Sequence, residues 1–139
     1  RYGKKVYSPL IEKGTADFVV CLELLETMRK LEYLKSDGMI IVNREKIDPA
    51  PVAAGLEKYP SDIEDWLKAN VGKHLVLDTK AALREAGSAK ALNIVMLGAL
   101  SNYLEFSDEE WASAIRALVK EKFVDMNLKA FALGKGLVA

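Results

Sequence analysis

Residues 17–43, DFVVCLELLETMRKLEYLKSDGMIIVN, constrain the fold more than any other stretch. An unbroken apolar run at 18–22 is followed by Leu24, Leu25, Met28, Leu31 and finally Leu34 at helical spacing, with Glu26, Arg29 and Lys30 between them. A second apolar run fills positions 39–42. Continuous apolarity, as opposed to alternation, marks a strand buried on both faces. Strand, amphipathic helix and strand make one crossover unit, right-handed in nearly all known cases, and that unit predicts a parallel-sheet α/β protein. Ser36-Asp37-Gly38 is expected to end the helix, with Gly38 free to take the left-handed turn. The unit begins only a few residues after Arg1, so a sheet domain of this kind is expected to have elements upstream of it.

Ahead of the crossover, residues 4–11 read as a short strand at a sheet edge, stopped by Pro9, which cannot donate to a ladder. A turn is expected at 12–15. Behind the crossover, Pro49, Pro51, Gly55 and Pro60 punctuate a long connection at 44–60, with one helical turn around 52–56. Connections of this length are more often functional or interfacial than idle. Ser61 and Glu64 have the spacing of a capping box for a helix running to about Asn70. A strand at 73–77 and a helix at 80–86, closed by Gly87, follow. The helix expected at 89–103 is apolar nearly all round and therefore buried. Ser107 repeats the capping signature ahead of a helix carrying Trp111, Ile115 and Leu118, and a final helix spans 121–133. These elements predict one domain over residues 1–139: a three-layer α/β/α, Rossmann-like fold with a mostly parallel sheet and a helical C-terminal part.

Composition narrows the function classes. The 139 residues carry 20 basic and 20 acidic side chains and no net charge. Acids and bases alternate along the helices, so no basic face suited to nucleic acid is expected, and near neutrality favours association. Cys21 is the single cysteine and lies inside an apolar run, where a buried thiol is disfavoured as a nucleophile. His74 is also alone, with no metal-ligand spacing around it. No apolar run approaches the roughly 20 residues that cross a bilayer. A reducing cytoplasm is the expected compartment.

The candidate site residues stand at strand ends. Open α/β sheets place ligands beyond the C-terminal ends of their strands. Glu23 and Asn43 follow the two apolar runs, and Asp78 follows the strand expected at 73–77. Each also has a local reading: Glu23 and Asp78 as helix caps, Asn43 as a loop residue bonding nearby backbone. Asn93 is an amide within an apolar helix, and burial would oblige it to find a partner in backbone, another subunit or a ligand. Asn127 is similar on a more exposed helix. Gly98 weakens its helix unless something approaches closely there. Gly134-Lys135-Gly136 follows a helix instead of opening one, which suits a frayed end better than a phosphate loop. Trp66 and Trp111 read as core or interface aromatics.

Several runs are familiar together. Val6-Tyr7-Ser8-Pro9-Leu10-Ile11, Ala16-Asp17, Leu22-Glu23-Leu24-Leu25-Glu26 and Tyr33-Leu34-Lys35-Ser36-Asp37-Gly38 resemble the gamma-type domain of the 2-oxoacid:ferredoxin oxidoreductases. Within that family the likeness is to the beta subunits of the indolepyruvate type. Asn93-Ile94-Val95-Met96-Leu97-Gly98-Ala99-Leu100 and Asn127-Leu128-Lys129-Ala130-Phe131-Ala132-Leu133-Gly134 are similar to the family's late helices. The resemblance implies a non-catalytic partner subunit of an enzyme that oxidatively decarboxylates aryl pyruvates to acyl-coenzyme A and reduces ferredoxin. It implies a large alpha subunit as partner, which holds the thiamine diphosphate and iron–sulfur clusters; none of these cofactors is expected on this chain. It also implies that this chain is the later two-thirds or so of such a domain, because the family's Gly-rich opening turn has no counterpart here. Glu23, Asn43 and Asn93 would then line a cofactor-binding or subunit-facing surface, and faces left uncovered could drive homodimerisation. Two other readings stand beside it: a Rossmann-type nucleotide- or S-adenosylmethionine-binding transferase, and an interaction domain without ligand.

Overall fold

A computed structural model describes residues 1–138. The chain forms two compact units, Arg1–Val42 with Lys46–Leu75, and Asn43–Glu45 with the residues from Val76 onward. The crossover is present. Strand β1 (Ala16–Cys21) leads to helix α1 (Leu24–Lys30), a short 3-10 turn at Leu31–Tyr33, and strand β2 (Leu34–Asn43). β1 and β2 pair in parallel, with Phe18 opposite Met39 and Cys21 opposite Val42. Strand β3 (His74–Leu77) lies on the other side of β2, giving the order β1-β2-β3. Its bonds, Ile40 N to Lys73 O at 3.0 Å and Arg44 N to Leu77 O at 2.7 Å, step in the same direction on both strands, so this pairing is parallel too. The expected α/β class with a parallel sheet and helical C-terminal part is what the chain forms.

The two apolar runs part company in burial. Ile40, Ile41 and Val42 have no exposed surface, as a strand covered on both faces requires. Each such side chain contributes about 1.5–3 kcal/mol over its exposed state. β1 does not behave this way: Val19 and Cys21 are buried while Val20 and the neighbouring Leu22 are 36% and 43% exposed. Among the described residues β1 is the outer strand of the sheet, and only one of its faces is covered. The Ser36-Asp37-Gly38 turn is also corrected. These residues lie inside β2, where the register jumps from Ala16–Leu34 to Phe18–Met39 and the extra residues form a bulge. A side chain on Gly38 would meet Leu34 Cδ1 at 2.7 Å and the Ala16 and Asp17 carbonyls at 3.0 Å. The glycine is there for close backbone approach.

Residues 4–11 form no strand. Ser8 Oγ takes the Leu10 amide at 3.2 Å, a local turn that competes with a ladder, and Tyr7 and Leu10 stay exposed. The turn that follows is as expected, with Gly14 at φ 73. Helix α2 (Ala50–Ala53) is the single turn of the long connection. Helix α3 (Ile63–Asn70) begins after Asp62 and has no side-chain cap. Its first helical residue comes too late for Ser61 to act as the cap.

In the second unit, α4 (Lys80–Ala86) ends at Gly87 in the left-handed conformation, φ 85. Helix α5 (Leu92–Ser101), helix α6 (Asp108–Leu118) and helix α7 (Val124–Gly136) complete it. The Ser107–Glu110 capping box is complete, and the Ser107 amide and hydroxyl hold the Glu110 carboxyl below its ordinary range. The core joins Ala82 and Ala86 of α4, Val95 of α5 and Ala130 of α7. Small side chains let the helix backbones meet. A Cβ on Gly98 would lie 2.1 Å from Phe131 O, and one on Gly134 would lie 1.9 Å from Val95 O. Gly98 is thus explained by close approach. Gly134 sits within α7 as a packing contact, which replaces the expectation of a frayed end. Among the described residues, no helix is long and apolar enough to cross a membrane.

These contacts predict opposite effects for two neighbouring glycines. Gly134→Ala forces the α5 and α7 backbones apart and should destabilise the protein by about 3 kcal/mol or more. Gly136→Ala has open space around its Cβ and should stabilise by up to about 1 kcal/mol through helix propensity. Urea unfolding of both variants measures the difference in sign.

Candidate functional site

The first candidate lies where β1 gives way to α1. Glu23 is the N-cap of α1 and is buried. Its Oε1 accepts from the Glu26 amide at 2.6 Å, and its Oε2 accepts from the Tyr59 hydroxyl at 2.9 Å. The Tyr59 oxygen in turn accepts from the Leu25 amide at 3.0 Å. Two amides that the first turn leaves without intrahelical acceptors are therefore served, one by the cap residue and one by a side chain from the long connection. Burial, and then the Glu23 carboxylate, push the Tyr59 hydroxyl up to about 12. Both causes favour the neutral phenol, which has to keep its proton to donate. The capping reading of Glu23 is thus realised, and Tyr59 is the member of the cluster that sequence reasoning missed. It lies 36 residues from Glu23, in a connection without periodicity, so no spacing signal could have joined them.

Cys21 is buried just ahead of this cluster, and burial raises its thiol above the ordinary value. It behaves as a small core side chain, as its apolar neighbours predict.

The second candidate lies in the other unit, where β2 and β3 end. Asn43 Oδ1 accepts from the Thr79 hydroxyl at 2.9 Å, and both residues are buried. Thr79 is the N-cap residue of α4 but makes no side-chain cap bond, because its hydroxyl is turned to Asn43. Asp78 Oδ1 instead takes the Lys80 amide at 3.0 Å, close to its expected capping role. The strand-end position of Thr79 was visible, but Asp78 beside it looked the better polar candidate.

The expectation of a buried amide on α5 is corrected. Asn93 is exposed, so solvent serves its amide and burial demands no partner. The helix is apolar nearly all round, yet its buried residues begin at Val95. Asn127 is the amide that is buried, and its Nδ2 donates to Phe123 O at 2.8 Å. Trp111 packs against Phe106 and Phe131, each at a ring distance of 5.5 Å.

Comparison with known proteins places this geometry in a family. The model for pyruvate ferredoxin/flavodoxin oxidoreductase matches residues 1–137. The indolepyruvate oxidoreductase subunit IorB of Thermococcus kodakarensis is 36% identical, over 96% of this chain and 69% of its own length. That of Pyrococcus horikoshii is 37% identical over the same shares. The chain thus spans about two-thirds of the length of these relatives. The crystal structure of a keto/oxoacid ferredoxin oxidoreductase gamma subunit from Geobacter sulfurreducens superposes with a TM-score of 0.62 at 23% identity, over 90% of this chain and 65% of that one, and shows that the fold is shared.

Two outcomes are expected from the Glu23 cluster. In a tyrosinate titration followed by ultraviolet absorbance, one of the five tyrosines should ionise near 12, and that late step should vanish in Tyr59→Phe. Because the folded value lies above that of the unfolded chain, the stability that this hydroxyl contributes is fully present below about pH 10 and is lost as pH rises through the folded value. Cys21 should resist a thiol-specific disulfide reagent in the native protein and react only on unfolding.

Proposed function

The chain belongs to the pyruvate ferredoxin/flavodoxin oxidoreductase family, and from that membership we propose that it serves as part of the partner subunit of an indolepyruvate:ferredoxin oxidoreductase. The single observation that carries this reading is the identity of more than a third to two indolepyruvate oxidoreductase subunits over nearly the whole chain. The transferase alternative has no such support, and the family assignment sets it aside. In the proposed complex a 2-oxoacid loses its carboxyl as carbon dioxide, the acyl group passes to the sulfur of coenzyme A, and the electron pair leaves to ferredoxin. The complex is cytoplasmic in this reading, and the chain is the later part of a gamma-type domain.

The residues of this chain support a scaffold role in that chemistry. An iron–sulfur cluster is held by about four thiolates, and this chain has one cysteine, buried and with its thiol form favoured. The donor set does not fit a cluster. Glu23 is committed to the α1 cap and to Tyr59, and Asn43 accepts from Thr79. These bonds rigidify the strand ends. In the proposed complex, thiamine diphosphate and the clusters belong to the large alpha subunit, and Glu23, Asn43 and Asn93 have subunit-facing or supporting roles.

The test is reduction of a viologen dye that depends on both indolepyruvate and coenzyme A, using the full-length subunit co-expressed with its large partner. Activity is expected from the pair and should fall when this subunit is left out. Equal activity from the large subunit alone would overturn a required role, and activity only with a different class of 2-oxoacid would overturn the substrate.

A further inference from the structure

Residues 46–61 cross from the sheet to α3 with one helical turn on the way. None of them is buried, and Ile47 and Leu56 are 61% and 81% exposed. A segment with so little apolar burial is held by whatever directed contacts it makes. Among the described residues, its hydrogen bonds to the rest of the fold converge on Tyr59. The hydroxyl donates to Glu23 Oε2 at 2.9 Å and accepts from the Leu25 amide at 3.0 Å. At the other end of the segment, Lys46 Nζ stands 5.6 Å from the centroid of the same ring, within reach of a cation–π attraction. Both ends of the segment therefore gather at one side chain.

A cavity of about 250 Å³ adjoins the two ends of the same segment. Lys46, Pro60 and Ser61 of the segment form part of its wall, and Leu24, Ile63 and Lys68 form part of the remainder. Leu24 opens the helix whose second amide Tyr59 caps.

We propose that residues 46–61 are a strap latched by Tyr59 onto the first turn of α1, and that release of the latch opens the cavity between the strap and α3. One event then does two things. It removes the acceptor of the Leu25 amide and leaves Glu23 with a single partner, so the crossover helix loosens at its start. It also lifts three wall residues away from Leu24 and Ile63. The strap is the coupling between the strand end at Glu23 and the cavity, and the phenol is the part that can let go.

Amide exchange followed by NMR on the whole chain tests this. In the wild type, the Leu25 amide should exchange at the opening rate of the strap amides, well ahead of Ile40, Ile41 and Val42. Protection of Leu25 that follows those core amides instead would overturn the latch without any variant. Tyr59→Phe should speed exchange of Leu25 and of the strap about tenfold, in line with the loss of a hydroxyl that makes two bonds, and leave the β2 amides unchanged. Unchanged strap exchange in Tyr59→Phe would sink the proposal. Cavity opening is read separately by Ile63→Cys in a Cys21→Ala background. Adding Tyr59→Phe should raise its rate of thiol labelling about tenfold, and equal rates would show that the strap does not gate the cavity.

Discussion

Ile40, Ile41 and Val42 have no exposed surface, and the order of the first unit depends on that burial. A strand covered on both faces needs a neighbour on each edge and helices above and below. β1 and β3 supply the edges, and the chain reaches β1's parallel position only by way of the α1 crossover. The positions of the candidate sites follow from this arrangement. Glu23 stands at the end of β1 because the crossover starts there, and Asn43 stands at the end of β2 because the ladder stops there. Slipping β1 by one residue against β2 would turn its buried Val19 and Cys21 outward. The bulge at Ser36-Asp37-Gly38 absorbs the mismatch between the strands, and the missing Cβ of Gly38 makes the backbone approach there feasible.

The second unit rests on a different kind of contact. Gly98 and Gly134 let α5 and α7 touch backbone to backbone, with the Val95 and Phe131 carbonyls occupying the space a side chain would take. Alanines at 82, 86, 91 and 130 extend the same logic. Such a core gains from close approach and many small contacts, where a core of large side chains gains from bulk. It is correspondingly intolerant of added volume, whereas a loosely packed helix end such as Gly136 is not.

The polar residues at the strand ends are bonded into the fold. Glu23 shares its two oxygens between its own helix and Tyr59, and Asn43 accepts from Thr79. Buried polar groups satisfied in this way hold local geometry firmly. That agrees with the supporting role proposed above for this member of the pyruvate ferredoxin/flavodoxin oxidoreductase family. The strap between β2 and α3 is the exception. It is exposed, held at one phenol, and forms part of the cavity wall.

Local sequence pattern determined the crossover, the strand at 73–77, the α4 boundary at Gly87 and the Ser107 capping box, because each element rests on residues close together along the chain. The order of residues also carried the family resemblance that the comparisons bear out. Tertiary structure decided the rest. A continuous apolar run does not say whether both faces of a strand are covered, so Val20 and Leu22 turned out exposed. An amide between Leu92 and Ile94 does not say which way it faces, so Asn93 turned out exposed and Asn127 buried. A glycine does not say whether it ends a helix or lets another backbone in, and Gly38 and Gly134 do the second. The Glu23–Tyr59 bond spans 36 residues. Local pattern reports only what neighbours along the chain impose, while burial, backbone approach and paired polar groups are set by residues that meet only once the chain is folded.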